Sequence, residues 1–318
     1  VKLGNKWIFN ANDGIHGDEL WVSDGTVDGT RMVRELQTGT ENSGQSSPSQ
    51  FYAAGDKVFF RAFSDATGWE MWVTDGTSVG TRALDLNPGR PDSYIDQAYG
   101  LNGKLVFRYH QAVGYGVEPW ISDGTLAGTQ MIKDFNPSGD SSLDFAAESN
   151  GKIYLKINDQ TEPGYTAVWV TDGTSANTIK LTSRCTNNGN PDPHGFTPVA
   201  GGLLFRLSDC VYSHKWWRTD GTVAGTARLD PSYDPATTTY GDVSPFLIGG
   251  KYYFTATSPE TGTELWTTDG SPSGTNILKD INTAQSGSGS GTGVKLGNKW
   301  IFNANDGIHG DELWVSDG

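Results

Sequence analysis

The stretch Glu70-Met71-Trp72-Val73-Thr74-Asp75-Gly76-Thr77 decides the fold, because close variants of it recur along the whole chain. The first copy reads Glu19-Leu20-Trp21-Val22-Ser23-Asp24-Gly25-Thr26. The tryptophans that mark the copies are Trp21, Trp72, Trp120, Trp169, Trp217, Trp266 and Trp314, at intervals of 48 to 51 residues. A motif at a fixed period indicates a repeat protein in which each repeat is one supersecondary unit.

Each repeat is predicted to hold four short strands. Two-residue turns such as Gly55-Asp56 join the first pair, and Asp-Gly-Thr-x-x-Gly-Thr turns join the last pair. A four-stranded unit of this length cannot bury both faces alone, and radial packing of such units makes a β-propeller. We therefore predict an all-β fold, a single propeller over residues 1–318, in which the repeated tryptophans pack between blades. An open solenoid is the alternative.

The repeat boundaries leave the number of blades open. The repeats lie at about 1–40, 47–87, 93–136, 143–182, 195–230 and 242–282, with a partial seventh at 294–318. Residues 294–318 copy residues 1–25 without a single change. The chain could form six four-stranded blades plus a three-stranded seventh. It could instead form a six-bladed ring in which the C-terminal copy overlaps or swaps with the first.

Composition excludes several functions. The chain has 23 Lys and Arg against 37 Asp and Glu, a net charge of −14, which disfavours nucleic-acid binding. It has no apolar run long enough to predict membrane insertion. Metalloprotease, nucleophile-elbow and phosphate-loop motifs are missing from the sequence, so it predicts no enzyme and no cofactor. The start at Val1, without a signal peptide, is typical of a mature or excised segment.

The recurring motif resembles that of the bacterial ELWxxDGT-repeat proteins over essentially the whole chain. Repeats four and five depart furthest, with Ala167-Val168-Trp169 and Lys215-Trp216-Trp217 at the motif position. The resemblance implies a secreted or cell-surface repeat protein, a propeller, and no defined activity. The predicted function is therefore a non-catalytic extracellular interaction or structural module, a unit of a larger surface or filamentous assembly. Other copies of itself, surface proteins or glycans would be its partners.

One face of the propeller is predicted to bind ligands. The links between the second and third strands, and those between blades, vary in length and chemistry and share one face, and such loops carry function on rigid scaffolds. The candidate ligand-binding residues there are His16, Trp69, Tyr115, Tyr165 and His214. Aromatic rings among amides and carboxylates suit sugars, so a lectin-like, carbohydrate-binding propeller is the alternative function.

The remaining candidates concern cross-links and metals. Cys185 and Cys210 map beside one blade, and we predict a disulfide between them, as in an oxidising compartment. A zinc site formed by these cysteines with His194 and His214 is a weaker alternative. Asn136, Asp140 and Asp144 are weak candidates for Ca²⁺ ligands because they offer oxygen donors. The repeated glutamates, as at Glu19 and Glu70, are expected to form blade-to-blade hydrogen bonds.

Overall fold

The computed structural model describes residues 1–37, 46–88, 92–110, 116–158, 166–183, 192–208, 214–229, 245–258, 260–271, 273–284, 286–289 and 293–318. The chain divides into two compact units, and the division falls within the fourth repeat. The first unit is Val1–Gly164 with Trp169–Ile179, and the second is Tyr165–Val168 with Lys180–Gly318. No helix long and apolar enough to cross a lipid bilayer occurs among the described residues.

Seven antiparallel sheets, one for each repeat, form the regular structure of the described residues. The first four contain β1 (Lys2–Leu3), β2 (Lys6–Asn12), β3 (Asp18–Ser23), β4 (Arg31–Arg34); β5 (Ser49–Ala54), β6 (Lys57–Ser64), β7 (Gly68–Thr74), β8 (Arg82–Leu84); β9 (Tyr94–Leu101), β10 (Lys104–His110), β11 (Val117–Ser122), β12 (Gln130–Met131); and β13 (Ser142–Ser149), β14 (Lys152–Asn158), β15 (Thr166–Thr171), β16 (Ile179–Lys180). The last three contain β17 (His194–Val199), β18 (Gly202–Ser208), β19 (His214–Thr219), β20 (Ala227–Arg228); β21 (Phe246–Ile248), β22 (Lys251–Ser258), β23 (Gly262–Thr268), β24 (Asn276–Lys279); and β25 (Gly293–Leu296), β26 (Lys299–Asn305), β27 (Asp311–Ser316).

The strands of each sheet are hydrogen-bonded in chain order, which is the arrangement of a propeller blade. The predicted all-β propeller with six four-stranded blades and a three-stranded seventh is confirmed. The six-bladed alternative is not what the structure shows, because residues 1–25 and 294–318 each contribute their strands to a separate sheet.

The Asp-Gly-Thr turns close the outer pair of strands by a repeated set of hydrogen bonds. In the third sheet the Oδ1 atom of Asp123 accepts hydrogen bonds from the Thr125 amide at 2.8 Å and the Thr125 hydroxyl at 2.7 Å. The amide of Gly128 then donates to the Thr125 hydroxyl, and the Thr129 hydroxyl donates to the Thr125 carbonyl. These local bonds satisfy the turn without help from the rest of the protein.

Each sheet has two apolar faces, because successive residues of a strand point to opposite sides. The front face carries the positions equivalent to Leu3, Ile8, Leu20 and Val22 of the first sheet. The back face carries the positions equivalent to Trp7, Phe9, Ala11 and Trp21 of the first sheet. Ile8 pairs with Val22 and Phe9 with Trp21, so the members of a pair share a face.

Within each unit, the sheets described below pack front face against back face. Ile8 and Leu20 on the front of the first sheet form one buried cluster with Phe60 and Trp72 on the back of the second. The front of the second sheet forms another buried cluster with the back of the third. The repeated tryptophans lie on back faces: Trp72 and Trp169 are buried, and Trp21, Trp120, Trp217, Trp266 and Trp314 are partly buried.

Buried glutamates join one sheet to the link that leads into the next. Glu19, Glu70, Glu118 and Glu264 are fully buried. The carboxylate of Glu70 accepts hydrogen bonds from the Leu86 amide at 3.3 Å and the Ser93 hydroxyl at 2.6 Å, and Ser93 directly precedes β9. The other three carboxylates accept bonds from residues at equivalent positions. The glutamates thus hold adjacent sheets together, as their repetition predicts.

Candidate functional site

The structure describes the side chains of two of the five predicted ligand-binding residues, His16 and Trp69. His16 is hydrogen-bonded to Asp13, three residues before it in the chain. Its Nδ1 lies 2.6 Å from Oδ2 of Asp13, and its amide donates to Oδ1 of Asp13 at 2.8 Å. These hydrogen bonds lower the pKa of Asp13 to about 2, and the carboxylate raises the pKa of His16. This hydrogen-bonded pair lies in the link between β2 and β3 and stabilises it. The imidazole therefore has a structural role.

Trp69 is also held by its surroundings. The guanidinium carbon of Arg61 lies 4.3 Å from the centroid of the indole, and the ring of Phe63 lies 5.8 Å away. The Trp69 amide donates to Asp92 at 3.0 Å. Since a cation and an aromatic ring already contact the indole, it is not a free platform on which a sugar could stack.

The other predicted site residues lie partly outside the described part of the chain. Tyr115, Tyr165, Cys185, Cys210 and the side chain of His214 fall outside the described residues, so the predicted disulfide stays a prediction. Of the candidate calcium ligands, the Asn136 amide group donates to the Asp140 carbonyl at 2.7 Å, while Asp144 accepts from Arg108 at 3.2 Å. Within the described residues, no three His, Cys, Asp or Glu side chains converge as a metal site would require.

A charged cluster that the sequence did not single out lies where the variable links meet the sheets. It consists of Asp96, Arg108, His110 and Asp144. Asp96 lies near the start of β9, His110 ends β10, and Asp144 lies near the start of β13. β9 and β13, the first strands of the third and fourth sheets, contact each other. The cluster therefore occupies the end of the third and fourth sheets from which the predicted binding links emerge.

Arg108 is the centre of the charged cluster. Its Nε and Nη2 atoms donate to the two carboxylate oxygens of Asp96, each at 2.5 Å. Its Nη1 donates to the Leu143 carbonyl at 2.8 Å and to Oδ1 of Asp144 at 3.2 Å. One guanidinium thus binds two carboxylates on neighbouring sheets, in the forked geometry that suits arginine.

Gln97, a residue with a left-handed backbone conformation, is hydrogen-bonded to the charged cluster. Gln97 has φ of +43° and sits where the pairing of β9 with β10 shifts register. Its side chain donates to Oδ1 of Asp144 at 3.1 Å and accepts from the Phe145 amide at 2.8 Å. A left-handed backbone at a residue other than glycine is costly and persists only where its surroundings fix it. Here the two bonds to β13 fix it.

The two carboxylates of the charged cluster differ in their electrostatics and exposure. Burial raises the pKa of Asp96, but the hydrogen bonds and positive charge of Arg108 outweigh it, and the pKa lies below its usual value. The bond to Asp96 raises the pKa of Arg108, so this pair stays ionised. The side chain of Asp144 is 58% exposed, against 21% for Asp96. Tyr94, which packs edge-on against His110 at 4.7 Å, is also exposed. An exposed carboxylate can bind a cationic group, and so can an exposed aromatic ring.

A sequence signal for this cluster exists. The fifth residue of the second strand is basic in four consecutive sheets, at Arg61, Arg108, Lys156 and Arg206. Its strand neighbours are mostly apolar and buried. A cation that recurs within an apolar strand predicts a carboxylate or carbonyl facing it. The partner on the next sheet could not be read from the sequence, because it depends on how the sheets pack.

Solved peptidase structures share this fold. Dipeptidyl peptidase 4 of Porphyromonas gingivalis matches with a TM-score of 0.51 and 13% identity, over 94% of this chain and 49% of that one. Puromycin hydrolase matches with a TM-score of 0.42 and 13% identity, over 94% and 48%. The β-propeller domain of the trilobed protease from Pyrococcus furiosus matches with a TM-score of 0.39 and 13% identity, over 100% and 91%. The chain spans about half the length of the first solved structures it matches. No family model and no curated protein matches the chain.

The match to dipeptidyl peptidase 4 contradicts the function predicted from the sequence. The interpretation as a structural or adhesion module, and the lectin alternative, are wrong, because this solved structure of the same fold is a peptidase. The surroundings of Trp69 also speak against the lectin, since Arg61 and Phe63 contact its indole. At this level of identity the likeness establishes the β-propeller fold, and the fold does not by itself supply an activity.

Proposed function

We propose that this chain is the non-catalytic propeller portion of a peptidase, and that its charged cluster receives basic peptide segments. The fold shared with dipeptidyl peptidase 4, whose chain is about twice as long, motivates the first part. The second part is carried by one observation: Asp144 is exposed and negatively charged at the end of the inner strands β9 and β13. The resemblance to ELWxxDGT-repeat proteins, and the extracellular location that it implies, are further proposals.

Charge supports a basic peptide as the ligand. The whole chain carries a net charge of −14, which attracts cationic molecules at long range. Within the charged cluster, the single guanidinium of Arg108 faces the carboxylates of Asp96 and Asp144, and Asp144 is the more exposed of the two, so it is the one that an ammonium or guanidinium group from solvent can reach. Tyr94, which packs edge-on against His110 of the charged cluster, is an exposed aromatic ring to which a cation can also bind. Since the contact is exposed, its contribution to affinity is expected to be about 1 kcal/mol and to weaken with added salt.

The experiment measures the binding of short peptides to the chain by calorimetry. A peptide with a free N-terminus and lysine or arginine residues should bind, and its acetylated, acidic counterpart should not. Asp144→Asn should weaken binding several-fold, whereas the matched control Asp140→Asn should not, because the backbone carbonyl of Asp140, and not its carboxylate, accepts the local bond from Asn136. Binding that is absent, or that is the same in both variants, would refute the proposal. The chain alone should not cleave chromogenic peptides.

A further inference from the structure

Arg61 lacks the carboxylate partner that its equivalent in the third sheet has. There, Asp96 is the strand partner of Arg108, and the two side chains form an ion pair. In the second sheet the strand partner of Arg61 is Ser49, which carries no charge. No carboxylate in the described part of the chain forms an ion pair with Arg61. A half-buried cation without a counter-charge is a place where an anion can bind.

The surroundings of Arg61 hold its guanidinium in place and leave its terminal nitrogens free. The guanidinium carbon lies 4.3 Å from the centroid of the Trp69 indole, and Nε donates to the Ser93 carbonyl at 3.5 Å. Trp69 is held in turn, since its amide donates to Asp92. Nη1 and Nη2 of Arg61 have no hydrogen-bond partner among the described residues, and solvent reaches both. A guanidinium that stacks on a ring keeps its donors in its own plane, where a planar carboxylate can accept them.

The Arg61 site adjoins the charged cluster. Ser93, which accepts the bond from Arg61, directly precedes β9, and Asp96 of the cluster lies three residues further along that strand. An extended strand rises about 3.3 Å per residue, so the two positions are about 10 Å apart. A peptide of about three or four residues spans this length. The second, third and fourth sheets contribute these residues from one compact unit.

We propose that Arg61, which stacks on Trp69, binds the C-terminal carboxylate of a peptide whose basic end lies at Asp144. This inference rests on the proposed function and names its ligand more closely: a short peptide, basic near its N-terminus, with a free carboxyl group at its other end. The guanidinium would donate two hydrogen bonds to the two carboxylate oxygens, as that of Arg108 does to Asp96.

The net charge of the chain separates this site from general attraction. The chain carries a charge of −14, so at long range it attracts an amidated peptide more strongly than the same peptide with a free carboxylate, which has one positive charge less. A cation placed at the carboxyl end of the peptide reverses that order. Tighter binding of the acid than of the amide is therefore the signature of the Arg61 site.

The test compares two tetrapeptides by calorimetry on the full chain, one ending in a carboxylate and the other in an amide. Both begin with a free amino group and a lysine. The parent chain should bind the acid about five-fold more tightly than the amide. Arg61→Gln should abolish this preference. Arg61→Lys keeps the charge but not the fork, so it should retain part of the preference, and it serves as the second variant if Arg61→Gln loses its fold.

Lys57→Gln is the matched control. Lys57 begins the same strand, β6, and its ammonium pairs with Asp56 at 3.0 Å, at the opposite end of the strand from the Arg61 site. The control removes the same charge as Arg61→Gln and should leave the preference for the acid unchanged. Thermal unfolding of each variant shows whether its fold is retained.

The outcomes distinguish this inference from the proposed function. Asp144→Asn should weaken the binding of both peptides by the same factor and keep the preference for the acid, because the two ends of the peptide bind at separate sites. A parent chain that binds the amide as tightly as the acid overturns the inference and leaves the proposed function standing. An acid preference that survives Arg61→Gln does the same. If neither peptide binds, both are overturned.

Discussion

At the scale of single residues, the buried glutamates are the most unusual chemistry of this chain. Burial raises the pKa of Glu70 and of Glu118 to about 7, although hydrogen bonds from Ser93 and Ser141 act in the opposite direction. The Oε1 atom of Glu70 is buried with no hydrogen-bond partner among the described residues, which is consistent with a carboxyl group that holds a proton. The joints formed by Glu70 and Glu118 therefore titrate near neutral pH.

The first prediction concerns Glu70 and pH. Because its pKa is higher in the folded chain than the usual 4.5, the folded state binds the proton more tightly, and the resulting stability is lost as pH rises from about 4.5 through about 7. Chemical denaturation at about pH 5 and about pH 8 should show a lower free energy of unfolding at the higher pH, by at most about 1.4 kcal/mol for each pKa unit. Glu70→Gln should reduce this difference.

Glu312→Gln serves as the control for this pH experiment. Glu312 is the counterpart of Glu19 in the seventh sheet and is exposed, so its replacement should leave the pH dependence unchanged. Part of the dependence should remain in Glu70→Gln because Glu118 has the same raised pKa. A Glu70→Gln chain whose stability falls with pH as steeply as that of the parent would show that this carboxyl is not the cause.

At the scale of elements, the Asp-Gly-Thr turn shows how a short motif can vary without losing its structure. A Cβ atom at Gly128 would overlap the Asp123 carboxylate, so any other residue at this position requires a local shift. The fourth repeat has Asn177 at the equivalent position. There the Asn177 side-chain amide donates to Oδ2 of Asp172 at 2.7 Å. A favourable hydrogen bond thus replaces what would otherwise be a clash.

The second prediction compares two substitutions at Gly128. Gly128→Ala should lower the free energy of unfolding by about 1–2 kcal/mol, because the methyl group displaces the Asp123 carboxylate from its hydrogen bonds without replacing them. Gly128→Asn should cost less, since its amide can bond the same carboxylate as Asn177 does. Urea denaturation of both variants measures the difference. Equal losses would mean that the Asn177 bond does not compensate.

At the scale of the whole molecule, the duplicated stretch shows that packing and not sequence sets burial. Trp7 and Trp300 have the same neighbours in sequence and the same strand pairing, yet one is mostly exposed and the other is covered by the sixth sheet. Trp300 stacks on Phe246 and belongs to the buried cluster of the sixth and seventh sheets. The energetic role of an identical side chain should therefore differ between the copies.

The third prediction measures this difference directly. Trp300→Ala should cost about 3–5 kcal/mol, the usual range for truncating a buried tryptophan, while Trp7→Ala should change stability by about 0.5 kcal/mol or less. Thermal or chemical denaturation is the measurement. Similar costs for the two variants would show that the Trp7 indole is covered as well as that of Trp300.

Much of the fold was predictable from the sequence, and the site was not. The period of the tryptophans and the turn residues predict the repeated sheets and the strands within them, because local hydrogen bonds define those elements, but they left six and seven blades both open. The ligand-binding predictions on the variable face rested on residue type alone. His16 and Trp69 turned out to be engaged by Asp13 and Arg61. The charged cluster was missed because its members come from separate sheets.

The amino-acid sequence by itself determined the blades of this protein: their strands, their turns and their two apolar faces all follow from patterns within one repeat. Only the tertiary structure decided which of two identical stretches would bury its front and which its back. It also decided that Asp96, Arg108 and Asp144 would meet. The physical reason is the same in both cases. Burial and charge pairing depend on the surface that lies opposite a residue, and that surface belongs to a different repeat.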